Sequence, residues 1–404
     1  MASSTAEVQG SVPPTLDIDP FSNEVLANPY EFHHALREAG PVVTLSAYGI
    51  YAVGRYDEVK SVVSDFETYT STGGMGMSDI RKPGAWRTRS PISEIDPPDH
   101  TKVRAALTKI ISPLVIRGWR ESFQKEAEAV AERVLEQGTI DGAHDVAEDF
   151  VLTVFPRALG VNVPKENLVA IGEMNFNQLG PNNELLAACL AKVEQILPWY
   201  DQSFLRQNML PGGFGEKIFL AEDAGELDPG TAALHVRGFL RGGVDTTIAG
   251  IGHTLHYLAR NPDQWAKIKE DPTKVRGAFE EAIRLESPAQ ILFRTTTRDT
   301  TIGDYRLAAD TKVAVCYASA NRDPRKWVDA DRFDIDRTTA GIHLAFGNGP
   351  HVCIGQMIAR LEAECLLGAI AKRARSIELV GEPSYRLINT LRTLGKLPLR
   401  IVPN

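Results

Sequence analysis

The sequence predicts a mainly α-helical protein with a minor β portion. Three long segments have the apolar spacing of amphipathic helices, at 29–39, 122–137 and 228–260. Five short segments are typical of strands, at 41–45, 50–53, 300–303, 312–315 and 399–402. No linker rich in Gly, Ser or Pro divides the 404 residues, and no repeat is visible. Together these observations predict one large domain.

Local signals place each element along the chain. Residues 1–14 are small and polar, so we expect a disordered tail followed by a single domain over 15–404. A first helix at 29–39 precedes a hairpin that turns at 47–49. The longest helix starts at Asp228-Pro229 and stops at Asn261-Pro262, which gives about 31 residues or roughly 47 Å. Such a helix would cross the whole molecule.

Composition excludes several classes of partner. The formal net charge is −8, which argues against nucleic acid, because that binding needs a basic surface. The N-terminal residues lack the apolar stretch of a signal peptide, and no apolar run approaches the ~20 residues that cross a bilayer. The four cysteines include no Cys-x-x-Cys pair, so a cysteine-based zinc or iron–sulfur site is not expected. We therefore expect a cytoplasmic protein that binds neither membrane nor nucleic acid.

The most informative segment runs from Phe346 to Gly355 and delivers one cysteine, Cys353, to the start of a predicted helix. Glycines let a loop approach a sulfur closely, and a helix N-terminus stabilises a thiolate. Phe346 would shield that sulfur from water. The alternative is a small buried side chain without chemistry, which describes most free cysteines.

This segment resembles the haem-binding signature of the cytochrome P450 family at Phe346, Gly349, His351, Cys353 and Gly355. The resemblance extends over nearly the whole chain. It implies the cytochrome P450 fold, with a long central helix over a haem b whose iron is bound by Cys353.

The run 242–247 within the long helix resembles the oxygen-binding turn of that family. Two glycines in a helix interior cost about 1 kcal/mol each, and close approach to a flat cofactor at Gly242 would explain them. Asp245 and Thr246 would relay protons and hold a water. The alternative is a solvated acid beside a threonine that bonds back into its own helix.

The resemblance also implies supporting residues around the haem. Glu281, Arg284 and Arg332 match a buried triad that supports the cysteine loop. Four basic residues match positions that contact the haem propionates: His100, Arg104, Arg294 and His351. The cluster of Lys102, Arg104, Lys109 and Arg117 is either a basic patch near the haem or a solvated helix face.

Local similarity to one bacterial branch of the family implies the substrate class. Segments 86–90, 176–184 and 293–299 resemble the branch that oxidises para-substituted benzoates. In that branch residues matching Arg87 and Ser90 hold a carboxylate, with one matching Arg237 nearby. Four further residues would form an apolar slot toward the iron: Phe176, Leu179, Val244 and Phe293.

Two positions depart from that branch. Gly238 and Arg241 stand where the branch has small serines. Arg241 lies four residues before Asp245, so it would either pair with that carboxylate or contact the substrate or a propionate.

The resemblance therefore implies a monooxygenase that hydroxylates or O-demethylates a small aromatic acid. It would use dioxygen and two electrons from a ferredoxin and its reductase, since the motifs leave no room for a flavin or nicotinamide domain. A peroxide-driven peroxygenase and a haem-based ligand sensor are the alternatives. Asp245 and Thr246 argue against both, because neither needs a proton relay.

Overall fold

The fold is mainly helical in the computed structural model, which describes residues 10–87 and 89–404. The α-helices in this part of the chain are α1 (Asn23–Ala27), α2 (Tyr30–Ala39), α3 (Tyr56–Ser64), α4 (Asp99–Ile110), α5 (Pro113–Gly118), α6 (Arg120–Gln137), α7 (Asp149–Leu159), α8 (Lys165–Asn177), α9 (Glu184–Val193), α10 (Leu197–Gln202), α11 (Phe214–Asp223), α12 (Ala232–Gly243), α13 (Asp245–Arg260), α14 (Pro262–Glu270), α15 (Val275–Glu286), α16 (Tyr317–Ala320) and α17 (Gln356–Arg373). A π-helical segment, Gly142–Glu148, leads into α7. None of these helices is both long and apolar enough to span a bilayer.

Short strands form the minor β portion that the sequence predicts. They are β1 (Thr15–Leu16), β2 (Val43–Leu45), β3 (Ile50–Val53), β4 (Tyr69–Thr70), β5 (Thr139–Asp141), β6 (Ile291–Thr296), β7 (Thr300–Ile302), β8 (Tyr305–Leu307), β9 (Lys312–Cys316), β10 (Ala374–Leu379), β11 (Ser384–Arg386), β12 (Thr393–Lys396) and β13 (Pro398–Pro403). The largest sheet has the order β1-β2-β3-β9-β6-β4, and smaller sheets pair β10-β13-β5, β11-β12 and β7-β8.

The predicted hairpin is confirmed in the largest sheet. Thr44 of β2 lies opposite Tyr51 of antiparallel β3. Strand β3 then runs parallel to β9, and β9 pairs antiparallel to β6 with Val313 opposite Arg294. This pairing places β6 beside the helical core.

The chain is attached to this β region before residue 15. Ser11 forms a bridge with Tyr305 of β8, and its N–H donates to the Asp304 carbonyl at 2.8 Å. Residues 1–9 of the predicted tail lie outside the described residues.

The long central helix is present but differs from the prediction in two ways. It begins at Ala232, because the Glu222 carboxylate accepts from the Thr231 and Ala232 N–H groups at 2.7 and 2.8 Å. It is also interrupted at Val244, between α12 and α13. The hydroxyls of Thr246 and Thr247 donate to the carbonyls of Gly242 and Gly243, each at 2.8 Å, and so compete with the regular helix ladder at this point.

The helices enclose one large hydrophobic core that α13 crosses. Residues 247–252 of α13 are all buried, and α13 packs against α15 and α17. Helix α6 packs along α17, which begins directly after the cysteine loop. The core therefore fixes the start of α17 relative to α13.

The predicted triad requires one correction. Glu281 and Arg284 are fully buried and form two contacts of 2.8 Å. The third charged group is Arg337, whose Nε donates to Glu281 Oε1 at 2.8 Å. Arg332 is exposed, and only its backbone carbonyl accepts from Arg284 and Arg337. The assignment of Arg332 was wrong, because the loop after α16 folds back so that the residue five positions later reaches Glu281.

We expect removal of the Glu281 charge to destabilise the protein. Glu281→Gln should lower the free energy of unfolding by about 3–5 kcal/mol, because Arg284 would remain buried without its anion. Arg332→Ala should stay within about 0.5 kcal/mol of the parent, since its side chain is exposed. Denaturant unfolding of both variants measures this difference. An equal loss in the two variants would contradict the corrected triad.

Candidate active site

A cavity lies between the two halves of the central helix, strand β6 and the cysteine loop. It encloses about 290 Å³, and its mouth is partly open. Its wall contains seven of the residues that the sequence singles out: Phe176, Gly242, Thr246, Arg294, Phe346, His351 and Cys353. Residues more than 170 positions apart thus meet around one space.

Backbone geometry presents Cys353 to this cavity. Gly347 and Gly349 adopt positive φ of 72° and 69°, which side-chain-bearing residues rarely do. A Cβ at Gly349 would lie 2.7 Å from the Val63 carbonyl oxygen, so this glycine also permits close packing on α3. The Cys353 N–H donates to the Phe346 carbonyl at 2.8 Å, and α17 begins three residues later. The thiol therefore sits at the N-terminal end of an 18-residue helix.

Opposing effects act on the thiol. Burial raises the pKa of Cys353, whereas the backbone N–H groups of Gly355 and Gln356 and the guanidinium groups of Arg104 and Arg360 lower it. Positive charge and N–H donors around a sulfur favour a thiolate once a metal cation binds.

Basic side chains at the cavity edge have unused donors. The rings of His100 and His351 lie 4.3 Å apart, and Nε2 of each is buried without a hydrogen-bond partner. His351 Nε2 is 3.7 Å from Asp96 Oδ1, which is too far for a hydrogen bond. Burial lowers the pKa of His100 to about 4 and also lowers that of Arg104. Buried Arg294 donates only to the neighbouring Phe293 carbonyl, at 2.9 Å. These groups suit the two propionates of a haem, because buried donors gain most from anionic acceptors.

Helix α12 forms the roof of the cavity, and two glycines leave part of this roof without side chains. A Cβ built at Gly238 or Gly242 would meet no atom within 4 Å. A flat cofactor can therefore approach the α12 backbone closely. This open roof, the basic groups with unused donors and the thiol together fit a haem.

Thr246 and Asp245 face different surroundings. Thr246 lines the cavity, and its hydroxyl donates back to Gly242, so the oxygen stays free to accept a hydrogen bond. The Asp245 carboxylate packs against Gly172 of α8, whose lack of a side chain makes room for it. Burial raises the pKa of Asp245 to about 7, with Arg386 opposing this effect. Arg386 contacts Glu148 at 2.8 Å and Glu173 at 3.8 Å. An ionic cluster thus lies near the buried acid and influences its charge.

Arg87 and Ser90 lie outside the cavity wall and face an internal carboxylate. Arg87 pairs with Glu94, and the two side chains are 6% and 0% exposed. Glu94 also accepts from the N–H groups of Met75 and Ser90, at 2.8 and 2.7 Å. The charge of Arg87 is therefore neutralised within the protein.

Of the four residues of the predicted apolar slot, Phe176 lies in the cavity wall, whereas Val244 and Phe293 lie away from it. Phe176 lines the cavity, and Leu179 packs beside it in a small cluster with Ile388 and Leu391. Phe293 points to the opposite face of β6 and stacks on Phe21, because strand residues alternate between faces. Its neighbours Leu292 and Arg294 line the cavity instead. Val244 is buried in the main core, away from the wall.

The two arginines of α12 are not part of the described cavity wall. Arg237 contacts Asp201 at 3.3 Å. Arg241 has no carboxylate within ion-pair distance in the described part of the chain, so the predicted pairing with Asp245 was wrong. Burial lowers the pKa of Arg241, and its nearest polar neighbour is Tyr200 of α10.

The predicted basic cluster on α4 divides into two environments. Lys102 and Lys109 are exposed and contact Asp228 and Glu226, so they belong to a solvated face. Arg104 is half-buried, and the charges of Arg104 and Cys353 influence each other's pKa.

Sequence reasoning missed two buried charged groups at the site. Lys312 donates to the carbonyls of Gly73, Gly74 and Gly76 at 2.7–2.9 Å and holds the loop that carries Met75. Burial lowers the pKa of Lys312 to about 7. Glu362 lines the cavity with both carboxylate oxygens unpartnered, and burial raises its pKa. The glycines at 73–76 were the only local feature of the sequence that pointed to the Lys312 contacts. No local feature pointed to Glu362.

Comparison with known proteins identifies relatives of this chain. The family model described as Cytochrome P450 matches residues 217–375. Cytochrome P450 CYP199A2 of Rhodopseudomonas palustris is 43% identical over 401 residues, which covers 99% of this chain and 97% of the relative.

Solved structures give the same result for the fold. CYP109Q5 from Chondromyces apiculatus superimposes with a TM-score of 0.80 at 31% identity, covering 96% of this chain and 99% of the other. The heme domain of Acinetobacter radioresistens CYP116B5 gives 0.85 at 20% identity, covering 95% and 97%. The chain belongs to the cytochrome P450 family, whose members are oxidative enzymes that carry haem b on a cysteine thiolate.

Proposed function

We propose that this protein is a monooxygenase that hydroxylates or O-demethylates a small aromatic carboxylic acid. The observation that carries the proposal is the position of Cys353, at the start of α17 and facing a cavity whose roof holds Gly242 and Thr246. When bound, the haem supplies the reductive activation of dioxygen. A methoxy carbon that is hydroxylated becomes a hemiacetal, which separates into a phenol and formaldehyde.

The residues of this chain divide the remaining work. Cys353 would hold the iron, Arg104 and Arg294 would neutralise the propionates of the haem, and His100 and His351 would donate hydrogen bonds to them. Thr246 accepts a hydrogen bond at the cavity wall and orients a water there. Asp245 holds a proton behind the roof, with the Arg386 cluster as its contact with solvent.

An aromatic acid fits the described wall. Phe176, Phe239 and Leu292 make part of this wall apolar, and Arg237 and Arg241 add positive charge on α12, outside the wall itself. A flat ring with one anionic end satisfies both features. The local resemblance to the benzoate-oxidising branch supports the same substrate class.

Electron supply and location complete the proposal. We assign a ferredoxin and its reductase as electron donors and the cytoplasm as the compartment, in agreement with the lack of a bilayer-spanning helix among the described residues. A peroxygenase or a ligand sensor has no use for the enclosed Asp245 and its surface cluster, so the geometry favours the monooxygenase.

Turnover of a benzoate tests the proposal directly. With ferredoxin and reductase present, 4-methoxybenzoate should accelerate NADH consumption and release formaldehyde, because the substrate carboxylate and ring both find partners. Product analysis with hydrogen peroxide in place of NADH is the control. Product formed with peroxide alone would favour the peroxygenase, and binding without product would favour the sensor.

Replacement of the proposed iron ligand gives a spectroscopic prediction. Cys353→Ser should abolish the thiolate-specific absorbance band of the reduced carbon monoxide complex, because a serine oxygen is a poor ligand for this iron. Cys365→Ser, at a fully buried cysteine of α17, should retain the band. Survival of the band in the Cys353 variant would disprove the assignment.

The raised pKa of Asp245 predicts a pH dependence. Its acid form is populated below about pH 7, so a turnover limited by proton delivery should fall as pH rises above that value. Asp245→Asn should turn over more slowly and lose this dependence. The ratio of product to NADH measured from pH 6 to 8.5 checks it, with Asp201→Asn as the exposed control. The same pH profile in the Asp245 variant as in the parent would contradict the role.

A further inference from the structure

Residues 73–76 form a short loop that brings Met75 to the cavity wall. The backbone of Met75 is held at both of its polar groups. Its N–H donates to Glu94 Oε1 at 2.8 Å, and its carbonyl accepts from the Phe293 N–H at 3.0 Å. Its side chain packs against the apolar cluster that contains Phe176. The position of this loop therefore decides the shape of the wall beside Phe176.

The other three carbonyls of the loop converge on one ammonium group. Nζ of Lys312, on β9, donates to the carbonyls of Gly73, Gly74 and Gly76 at 2.8, 2.7 and 2.9 Å. Gly74 has a φ of 99°, a turn that residues with a side chain rarely adopt. These three carbonyls form a carbonyl cage, in which each N–H of the ammonium has one acceptor.

The charge of Lys312 is stabilised by the carbonyl cage and not by a direct ion pair. Its side chain is buried, and in the part of the chain that the structure describes no carboxylate lies within ion-pair distance of its Nζ. Asp79 acts on it only at longer range and itself pairs with Arg81 at 2.6 Å. A neutral amine has two N–H donors for three carbonyls, so the cage favours the ammonium.

Lys312 does not line the cavity, so any effect on a bound molecule passes through the loop. Rings of backbone carbonyls are also the groups that bind monovalent cations such as K⁺. The cage therefore has the chemistry of a cation site, and the cation in it is attached to the chain.

We propose that Lys312 is a positioning residue whose ammonium acts as a built-in monovalent cation, which gathers loop 73–76 and so fixes Met75 in the cavity wall. The inference rests on the proposed function only for the substrate whose position this wall sets. It implies that a free cation of similar size can replace the ammonium once the side chain is removed.

Hydrogen exchange of the purified haem-loaded protein tests the cage without any substrate. In Lys312→Ala the amide hydrogens of residues 73–77 should exchange about 10-fold to 100-fold faster, because three buried carbonyls lose their donor. Ammonium or potassium chloride at about 0.2 M should restore the rate to within about threefold of the parent. Choline chloride at the same concentration should not, because its cation is too large for the cage.

Two further variants control for other effects. Lys312→Met keeps the apolar stem, which leaves no room for a free cation, so its loop should exchange fast in all three salts. Lys82→Met removes an exposed lysine that contacts Asp310 at 2.7 Å, and its loop should exchange like that of the parent. If Lys312→Ala does not fold, Lys312→Met carries the test, and exchange at the parent rate would overturn the inference.

The yield of turnover shows whether the loop positions the substrate. With 4-methoxybenzoate, Lys312→Ala should lower the ratio of product to NADH about threefold to tenfold, because a displaced wall lets the ring move out of its reactive position. Ammonium chloride should restore the ratio, and choline chloride should leave it low.

Several results would overturn the inference. Exchange of the Lys312→Ala loop at the parent rate, or faster exchange that the three salts affect equally, would show that the carbonyl cage needs no cation. Restored exchange without a restored product ratio would disprove the role in positioning the substrate. If the parent protein does not oxidise the benzoate, the proposed function fails, whereas the exchange measurements still decide whether the ammonium holds the loop.

Discussion

The buried ion pair of Glu281 and Arg284 is the interaction on which the site depends. Arg284 also donates to the carbonyls of Asn321 and Ala330, at 2.7 and 2.8 Å. Asn321 Oδ1 accepts from the Leu344 N–H at 2.7 Å, directly before the cysteine loop. One charged contact thus connects α15 to the segment that carries Cys353. A pair of this kind adds little net stability over an apolar pair, but it defines one geometry, because every alternative leaves a charge unsatisfied.

The interruption of the central helix separates two environments on consecutive residues. The Thr246 hydroxyl donates to the Gly242 carbonyl of the central helix, and Thr246 lines the cavity. Asp245 lies outside the cavity and packs against Gly172. Gly243 packs on Phe155, and both residues line the cavity beside the break. Asp245 can therefore hold a proton outside the cavity, although the next residue, Thr246, lines the cavity.

Local patterns allowed part of this structure to be predicted from the sequence. The Cys353 loop was predictable because its glycines, phenylalanine and cysteine lie within ten residues and act together. Arg337 was missed because the path of the loop decides which arginine reaches Glu281, and the spacing of residues in the sequence does not reveal that path. Phe293 was misplaced because the register of β6 against β9 decides which face meets the cavity. Lys312 and its three carbonyl partners are more than 230 residues apart, so no local signal joins them.

The distribution of charge around the cavity explains why an anionic substrate is compatible with a buried site. Burial raises the pKa of two acids near it, that of Asp245 to about 7 and that of Glu362 above its ordinary value, which reduces the negative charge at the cavity. Two guanidinium groups, those of Arg104 and Arg294, would balance the two propionates of a haem. Burial lowers the pKa values of His100 and His351, so these rings would act as neutral N–H donors to the same anions. The smaller negative charge at the wall lowers the electrostatic cost of admitting an anionic substrate.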